Sequence, residues 1–347
     1  MKRLRLLFLL GTLLLVCGCS QNEREQEATG TQQTTEEAPV KIGLCFDTFV
    51  VERWQRDRDI FVSTASELGA EVHVQNANGD VKEQIRQINH LIDEKVDVLV
   101  LVPIDADSLT EVINRARNKS IPVICYDRLV NQVQTDLYIS FDNETVGHLM
   151  GIYLGKNMTV GDKVLMISGP VTDGNVLQVN KGFEEEMEKA GIEVADIAYM
   201  NEWKAEHAYE YVNQNIDWIR DDISGIMCGN DNLASQVIYA LSENRLAGDI
   251  QVTGQDADLD ACQRIVEKTQ AMTVYKPVGL LAEQAAQAAV KLGRGETVTY
   301  DETIWNGKAD IPYIRLMPES VTAENIDETI IKSGFHQKED VYINCPQ

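Results

Sequence analysis

Strand-like and helix-like segments alternate along most of this chain. The segments VKIGLCF (40–46) and VDVLVLVP (96–103) are near-continuous apolar runs, typical of strands buried on both faces. Between them, VKEQIRQINHLIDEK places Ile85, Ile88 and Leu91 on one helical stripe. Alternation of this kind predicts an α/β fold with parallel sheets. The predicted elements are too many for a single sheet, so we expect two similar lobes.

The amino terminus has the pattern of a targeting signal. Lys2, Arg3 and Arg5 precede the apolar run LLFLLGTLLLV, which is too short to span a membrane comfortably. The run ends at Val-Cys-Gly-Cys (16–19), which resembles the lipobox of bacterial lipoproteins. The resemblance implies a signal peptide over residues 1–18 and a lipid on Cys19. A plain secretory signal cut nearby is the alternative.

The charge of the chain excludes several classes of partner. Its formal net charge is −24, and removal of residues 1–18 would leave 28 basic against 55 acidic residues, or 28 − 55 = −27. This argues against nucleic acid and against electrostatic docking on anionic lipid. Residues 19–39 are polar and acidic, without aromatic or branched aliphatic side chains, which predicts a disordered tether. We therefore expect an extracytoplasmic body anchored to the cell membrane by the lipid on Cys19.

Polar and aromatic residues gather where the predicted strands end, and ligands of parallel α/β sheets bind at that edge. These residues combine guanidinium, carboxylate and amide groups, which bind hydroxyl groups, with aromatic rings, which pack on C–H surfaces. The candidates are Arg53, Trp54, Asp127, Arg128, Asn175, Trp203, Asn230, Asp256 and Lys276.

Enzymatic motifs are missing from the sequence. It contains no Ser-His-Asp order, nucleophile elbow or phosphate-binding glycine loop. Asp256, Asp258 and Asp260 have the spacing of a calcium loop, but Ala261 stands where that loop needs glycine. The sequence thus predicts a binding protein for a free sugar, with no catalytic residue, cofactor or metal.

Seven stretches resemble bacterial D-xylose-binding proteins, which are the sugar receptors of ABC importers. They are ERWQRDRDIF, VQNANGD, VDVLVLVP, YDR, YISFDNE, GQDAD and MTVYKP, and the similarity runs from Val40 to Phe335. The resemblance implies the type I periplasmic-binding-protein fold, with two Rossmann-like lobes of parallel sheets joined by a three-segment hinge. The lobes would close on one monosaccharide.

The resemblance also implies roles for the candidates. Arg53 and Arg128 would bind ring and hydroxyl oxygens, and Trp54 and Trp203 would sandwich the pyranose. The carboxylates and amides of Asp127, Asn230 and Asp256 would share hydroxyl protons, and Lys276 would donate. The loop 169–178 holds one residue more than the family's loop, so either Asn175 or Asp173 would face the sugar.

We expect the first lobe to comprise residues 40–144 and 276–311, and the second to comprise 145–275 and 312–347. We expect a monomer that binds D-xylose or a close pentose and delivers it to an ABC permease. A sensor lipoprotein that presents xylose to a histidine kinase or chemoreceptor is the main alternative. A LacI-type regulator is disfavoured because no basic helix-turn-helix precedes the core, and a sugar-modifying enzyme because catalytic motifs are lacking.

Overall fold

Two sheets organise the protein in the computed structural model, which describes residues 38–50 and 53–345. Within these residues the strands form one sheet of seven and one of six. The strands are β1 Val40–Phe46, β2 Ala70–Asn76, β3 Val98–Leu101, β4 Val123–Tyr126, β5 Leu137–Phe141, β6 Lys163–Ser168, β7 Glu193–Tyr199, β8 Gly225–Cys228, β9 Gln251–Gln255, β10 Met272–Tyr275, β11 Glu302–Trp305, β12 Asp310–Leu316 and β13 Glu319–Val321.

Helices cover the faces of both sheets, so the central strands are buried on both sides as their apolar sequences predict. The helices are α1 Arg53–Glu67, α2 Val81–Asp93, α3 Thr110–Asn118, α4 Asn143–Asn157, α5 Gly174–Ala190, α6 Ala205–Gln214, α7 Ile216–Asp222, α8 Asp231–Glu243, α9 Leu259–Val266, α10 Val278–Gly293 and α11 Lys338–Val341, with a 3₁₀ turn at Asn201–Trp203 and a π-helical turn at Asp327–Ile331. In the described part of the chain, no helix combines the length and apolarity needed to cross a membrane.

The predicted two-lobed α/β class is confirmed. The first sheet has the order β11-β12-β5-β4-β3-β1-β2, and the second has the order β13-β10-β9-β8-β6-β7. Strand pairs are parallel throughout except at one edge of each sheet, where β11 pairs with β12 and β13 with β10 in the antiparallel sense. Each sheet has apolar cores on its two faces.

The chain passes between the sheets after β5, after β10 and after β12. The third passage differs from the expected lobe boundary at 311–312, which falls inside β12. Residues 312–316, predicted for the second lobe, belong to the first sheet because Tyr313–Leu316 pair in parallel with Tyr138–Phe141. The prediction failed because a lone apolar segment does not reveal which sheet it joins.

Two segments of the second lobe are interrupted. The helical stretch that begins at Ala205 is divided into α6 and α7 at Asn215. Strand β7 ends at Tyr199, and the 3₁₀ turn that carries Trp203 follows it. The predicted signal peptide, Cys19 and almost all of the tether lie outside the described residues.

Candidate ligand-binding site

A cavity lies between the carboxyl ends of the strands of the two sheets. Its empty volume is about 500 Å³, a figure that includes space open to solvent. The walls combine charged, amide and aromatic side chains. The lining residues are Arg53, Trp54, Asp127, Arg128, Asn143, Gly169, Asp173, Asn175, Val176, Val179, Asn180, Trp203, Gly229, Asn230, Gln255, Asp256 and Lys276.

All nine residues singled out from the sequence line this one cavity. Both Asp173 and Asn175 line it, so the sequence alternatives at that loop are not mutually exclusive. We call the residues from the first lobe (Arg53, Trp54, Asp127 and Arg128) the first wall. Those from the second (Asp173, Asn175, Asn180, Trp203, Asn230, Gln255 and Asp256) form the second wall, and Lys276 lies where the chain returns to the first lobe after β10.

Arg128 connects the two walls. Its Nη1 donates to Asp47 Oδ2 at 2.6 Å and to the Pro103 carbonyl at 3.2 Å, both within the first lobe. Its Nε is 2.7 Å from Asp173 Oδ2 on the second wall. Since all three charged side chains are almost completely buried, this is a desolvated ion triad across the cleft.

Arg53 is surrounded by carboxylates. Its Nη2 donates to Asp127 Oδ2 at 2.8 Å and to Asp57 Oδ1 at 3.2 Å. Its Nη1 is 3.8 Å from Asp256 Oδ1 on the second wall, and Lys276 Nζ is 2.8 Å from the same oxygen. Hydrogen bonds within the first lobe therefore fix Arg53, whereas its nearest carboxylate on the second wall, Asp256, lies beyond hydrogen-bond distance.

The two tryptophans of the cavity are held differently. Trp54 is 2% exposed, packs edge-on against Phe46 and has the Arg53 guanidinium 4.3 Å from its ring centre. Trp203 is only partly buried and lies against Gly169 and Gly229 at the ends of β6 and β8. A β-carbon at Gly169 would lie 2.3 Å from Trp203 Cη2, so only glycine allows this approach.

Amide and carboxylate contacts fix the rest of the second wall. Asp173 caps α5 by accepting the Asn175 amide hydrogen at 3.0 Å, and it accepts from Trp203 Nε1 at 3.3 Å. Asn175 Nδ2 in turn donates across the cleft to Asp127 Oδ1 at 3.0 Å. Asn230 Oδ1 accepts from the Leu233 amide at 2.9 Å and so caps α8.

Sequence reasoning missed several lining residues. Asn143 stands in the FDNE segment that closes β5, so the strand-end rule could have found it. Gln255 is the last residue of β9 and directly precedes Asp256. Strict alternation of side chains along the strand would turn Gln255 away from the cavity. Asp47, which contacts Arg128 from outside the lining, directly follows β1, so the strand-end rule could have found it too. Asn180 lies more than one turn into α5 and had no local signal.

Three cavity residues have backbone conformations that are rare outside glycine. The φ angles are 65° at Asp127, 56° at Trp203 and 100° at Asp256. Such conformations cost about 1–3 kcal/mol each and persist only where the surroundings enforce them. At Asp127, the enforcing contacts include hydrogen bonds from Tyr138 OH and Ser140 Oγ to its carbonyl oxygen, at 3.0 and 2.6 Å.

Burial and pairing set the charges of the site. Burial raises the pKa of Asp127, but Arg53, Lys276 and Arg128 outweigh it, so this pKa lies below its ordinary value. At Asp47 and Asp173, burial prevails over the attraction of Arg128 and raises the pKa. The first wall therefore presents a firmly ionised carboxylate between two guanidinium groups.

Several buried polar atoms of the lining have no hydrogen-bond partner among residues 38–50 and 53–345. They are Arg53 Nε, Trp54 Nε1, Asn180 Nδ2 and Gln255 Oε1. A buried polar group without a partner costs about 1–3 kcal/mol. The lining thus holds donors and an acceptor without partners, together with two indole rings, which suits a small ligand carrying several hydroxyl groups.

Comparison with known proteins agrees with this geometry. Residues 42–297 match the family model of the periplasmic binding protein domain. The chain is 40% identical over 307 residues to the D-xylose-binding periplasmic protein of Haemophilus influenzae, covering 87% of this chain and 92% of that protein. It is likewise 40% identical over 306 residues to the D-xylose-binding periplasmic protein of Escherichia coli, with the same coverage.

A solved structure shows the same architecture. The ABC transporter solute-binding protein of Clostridium phytofermentans, with bound β-D-glucose, superimposes with a TM-score of 0.80 at 25% identity. The match covers 87% of this chain and 99% of that one. The chain therefore belongs to the family of type I periplasmic sugar-binding proteins.

Proposed function

We propose that this protein is a membrane-anchored extracytoplasmic receptor that binds D-xylose, or a close pentose, between its two walls and delivers it to an ABC importer. The observation that carries the proposal is the convergence of two tryptophans, two arginines and three carboxylates on one cavity. No bond of the sugar is made or broken in this function.

The cavity chemistry supports a neutral sugar over an anionic ligand. The guanidinium groups of Arg53 and Arg128 are already compensated by buried carboxylates, so little positive charge is left for a phosphate. Ring hydroxyls would instead bind the donors Arg53 Nε and Asn180 Nδ2 and the acceptor Gln255 Oε1. Because Asn230 Oδ1 caps α8, we expect its Nδ2 to be the atom that meets the ligand.

The choice of xylose rests on the relatives at 40% identity, which carry that sugar in their names. A hexose is the alternative ligand class, since the structurally similar solute-binding protein holds β-D-glucose. A calorimetric titration of the purified protein against xylose, arabinose, ribose and glucose tests the choice. We expect one site per chain with xylose as the tightest ligand; absence of heat with all four sugars would refute the proposal.

Closure on the sugar would create the surface that a membrane partner recognises, by shifting the population toward the closed form. The same binding chemistry would serve a sensor that presents xylose to a histidine kinase or chemoreceptor. Uptake of labelled xylose by cells lacking this protein separates the two roles: uptake is lost if the protein feeds a permease and preserved if the protein only signals.

A Cys19→Ser variant should appear in the soluble fraction if a lipid on Cys19 provides the anchor.

A further inference from the structure

Asp57 is a completely buried carboxylate that the sugar-binding proposal does not use. It has no exposed surface and does not line the cavity. It follows Arg53 by one turn of α1, which puts both side chains on the same face of the helix. Burying a carboxylate is costly unless it is paired, so its position needs a reason.

Two groups bind the same oxygen of Asp57. Arg53 Nη2 donates to Oδ1 at 3.2 Å, and the hydroxyl of Tyr126, at the end of β4, donates to Oδ1 as well. Tyr126 is 1% exposed and also lies outside the cavity lining. The chain Tyr126–Asp57–Arg53 thus runs from the sheet to the first wall, behind the surface that a ligand would touch.

The contact between Asp57 and Arg53 fixes the orientation of the Arg53 guanidinium, which we call the Arg53 fork. Nη2 of Arg53 is bound by two carboxylates, Asp57 from behind and Asp127 from the wall, so the guanidinium cannot rotate without losing both. Its Nε, in contrast, has no partner in the described part of the chain. With Nη2 anchored, Nε and Nη1 are the donors left for a ligand, and Nη1 is 3.8 Å from Asp256.

We propose that Asp57 and Tyr126 are positioning residues, which touch no ligand but hold Arg53 in the orientation required to bind a sugar hydroxyl. This inference rests on the proposed sugar-binding function. A rigid fork loses less conformational entropy on binding, and preorganisation of this kind raises affinity without adding a contact.

The test is a double-mutant cycle on the intact protein, with xylose titrated calorimetrically. Asp57→Asn keeps the shape and an acceptor but removes the charge. We expect it to raise the Kd about tenfold, in line with a lost charge-assisted hydrogen bond. In an Arg53→Lys background, where no fork remains to be held, the same substitution should change the Kd less than about twofold. A Kd unchanged by Asp57→Asn, or raised equally in both backgrounds, would overturn the inference.

Tyr126→Phe provides a second arm that leaves the carboxylate in place. We expect a smaller rise of the Kd, of about threefold, from the loss of one neutral donor. The matched control is Tyr313→Phe, a buried tyrosine of the same sheet whose hydroxyl donates to the Phe141 carbonyl at 3.2 Å. It should leave the Kd unchanged, and equal effects of the two substitutions would count against positioning.

Denaturant unfolding of every variant separates positioning from stability. If Asp57→Asn does not fold, the Tyr126→Phe arm decides the question. NMR of the guanidinium Nε–H of Arg53 adds a direct readout, because a released fork should exchange and broaden. If the wild-type protein binds none of the sugars, the proposed function fails; if it binds and the variants bind equally well, only the positioning role fails.

Discussion

A fully buried aspartate lies behind each wall of the cavity, and the two are compensated in different ways. Asp57, behind the first wall, has the guanidinium of Arg53 3.2 Å away. Burial raises its pKa, while Arg53 and the Tyr126 hydroxyl oppose that shift. The buried carboxylate behind the first wall is therefore paired with a cation.

Asp231, behind the second wall, accepts hydrogen bonds from neutral groups. They are Thr273 Oγ1 and Gln270 Nε2, both at 2.7 Å, and the Asp258 amide at 3.1 Å. Burial raises the pKa of Asp231 to about 7. The comparison teaches that the same residue type, equally buried, can be compensated by a cation on one side of a cleft and by neutral hydrogen-bond donors on the other.

Removal of the ion triad that joins the walls should have the largest effect. Arg128→Met leaves Asp47 and Asp173 buried without their cation, and breaking a buried pair typically costs about 3–5 kcal/mol. We expect a loss of this order in the free energy of unfolding, together with loss of measurable sugar binding. Urea unfolding followed by circular dichroism measures the first quantity and calorimetry the second.

The control for this prediction is Arg220→Met, which removes an exposed pair with Asp217. It should change neither stability nor affinity appreciably, because exposed pairs contribute little. An Arg128 variant as stable as this control would show that the triad adds nothing to the fold.

Substitution of the two cavity tryptophans should affect different quantities, mainly binding for Trp203 and mainly stability for Trp54. Trp203→Ala removes a partly exposed ring, and we expect it to cost about 2 kcal/mol of binding free energy, or roughly 30-fold in Kd, with a small change in stability. Trp54→Ala removes a core side chain, so it should cost about 3–5 kcal/mol of unfolding free energy. Trp305, which is 63% exposed, provides the matched control. Unchanged xylose affinity in Trp203→Ala would remove this residue from the site.

Asp231 provides a test by pH. Its pKa in the fold is raised above the unfolded value of 3.8, so between about pH 4 and 7 the folded state holds more protons than the unfolded chain. The stability contributed by its proton is full below the unfolded pKa and is lost as the pH rises through about 7.

We expect the unfolding free energy of the wild type, minus that of Asp231→Asn, to fall with rising pH across this window. The slope should reach at most about 1.4 kcal/mol per pH unit, the value for one proton. Carboxylates common to both proteins cancel in the difference. A difference that stays flat from pH 4 to 7 would mean that Asp231 is ionised throughout, as a paired carboxylate would be.

The comparison of the walls also shows what a sequence can reveal. Arg128, Asn230 and Asp256 were predictable because each lies within two residues of the end of a strand, and parallel strands bring such positions to one edge. Asp57 and Asn180 were not, because the hydrogen bonds that they accept from Tyr126 and Ser168 come from other elements and depend on tertiary packing.

The fold was predictable to a similar extent. Apolar runs and stripes predicted the alternation of strands and helices, but no local sequence pattern indicates which strands pair with each other. The sheet membership of β12 was therefore wrong for residues 312–316. The turn that carries Trp203 was also missed, because positive φ angles at Glu202 and Trp203 are imposed by packing and not by residue type.

The smallest effect should come from a single methyl group beneath Trp203. In Gly169→Ala the new β-carbon would lie 2.3 Å from Cη2 of the indole, and ordinary contact begins at 3.4 Å, so the ring must shift by about 3.4 − 2.3 = 1.1 Å. We expect about 1 kcal/mol of lost binding free energy, a five- to tenfold rise in Kd, as is typical of mild overpacking. Gly174→Ala is the control, since a β-carbon there meets no atom within 4 Å. In a Trp203→Ala background the Gly169 substitution should lose its effect, because no ring remains to be displaced; an undiminished effect would mean that Gly169 acts on the ligand or on β6 directly.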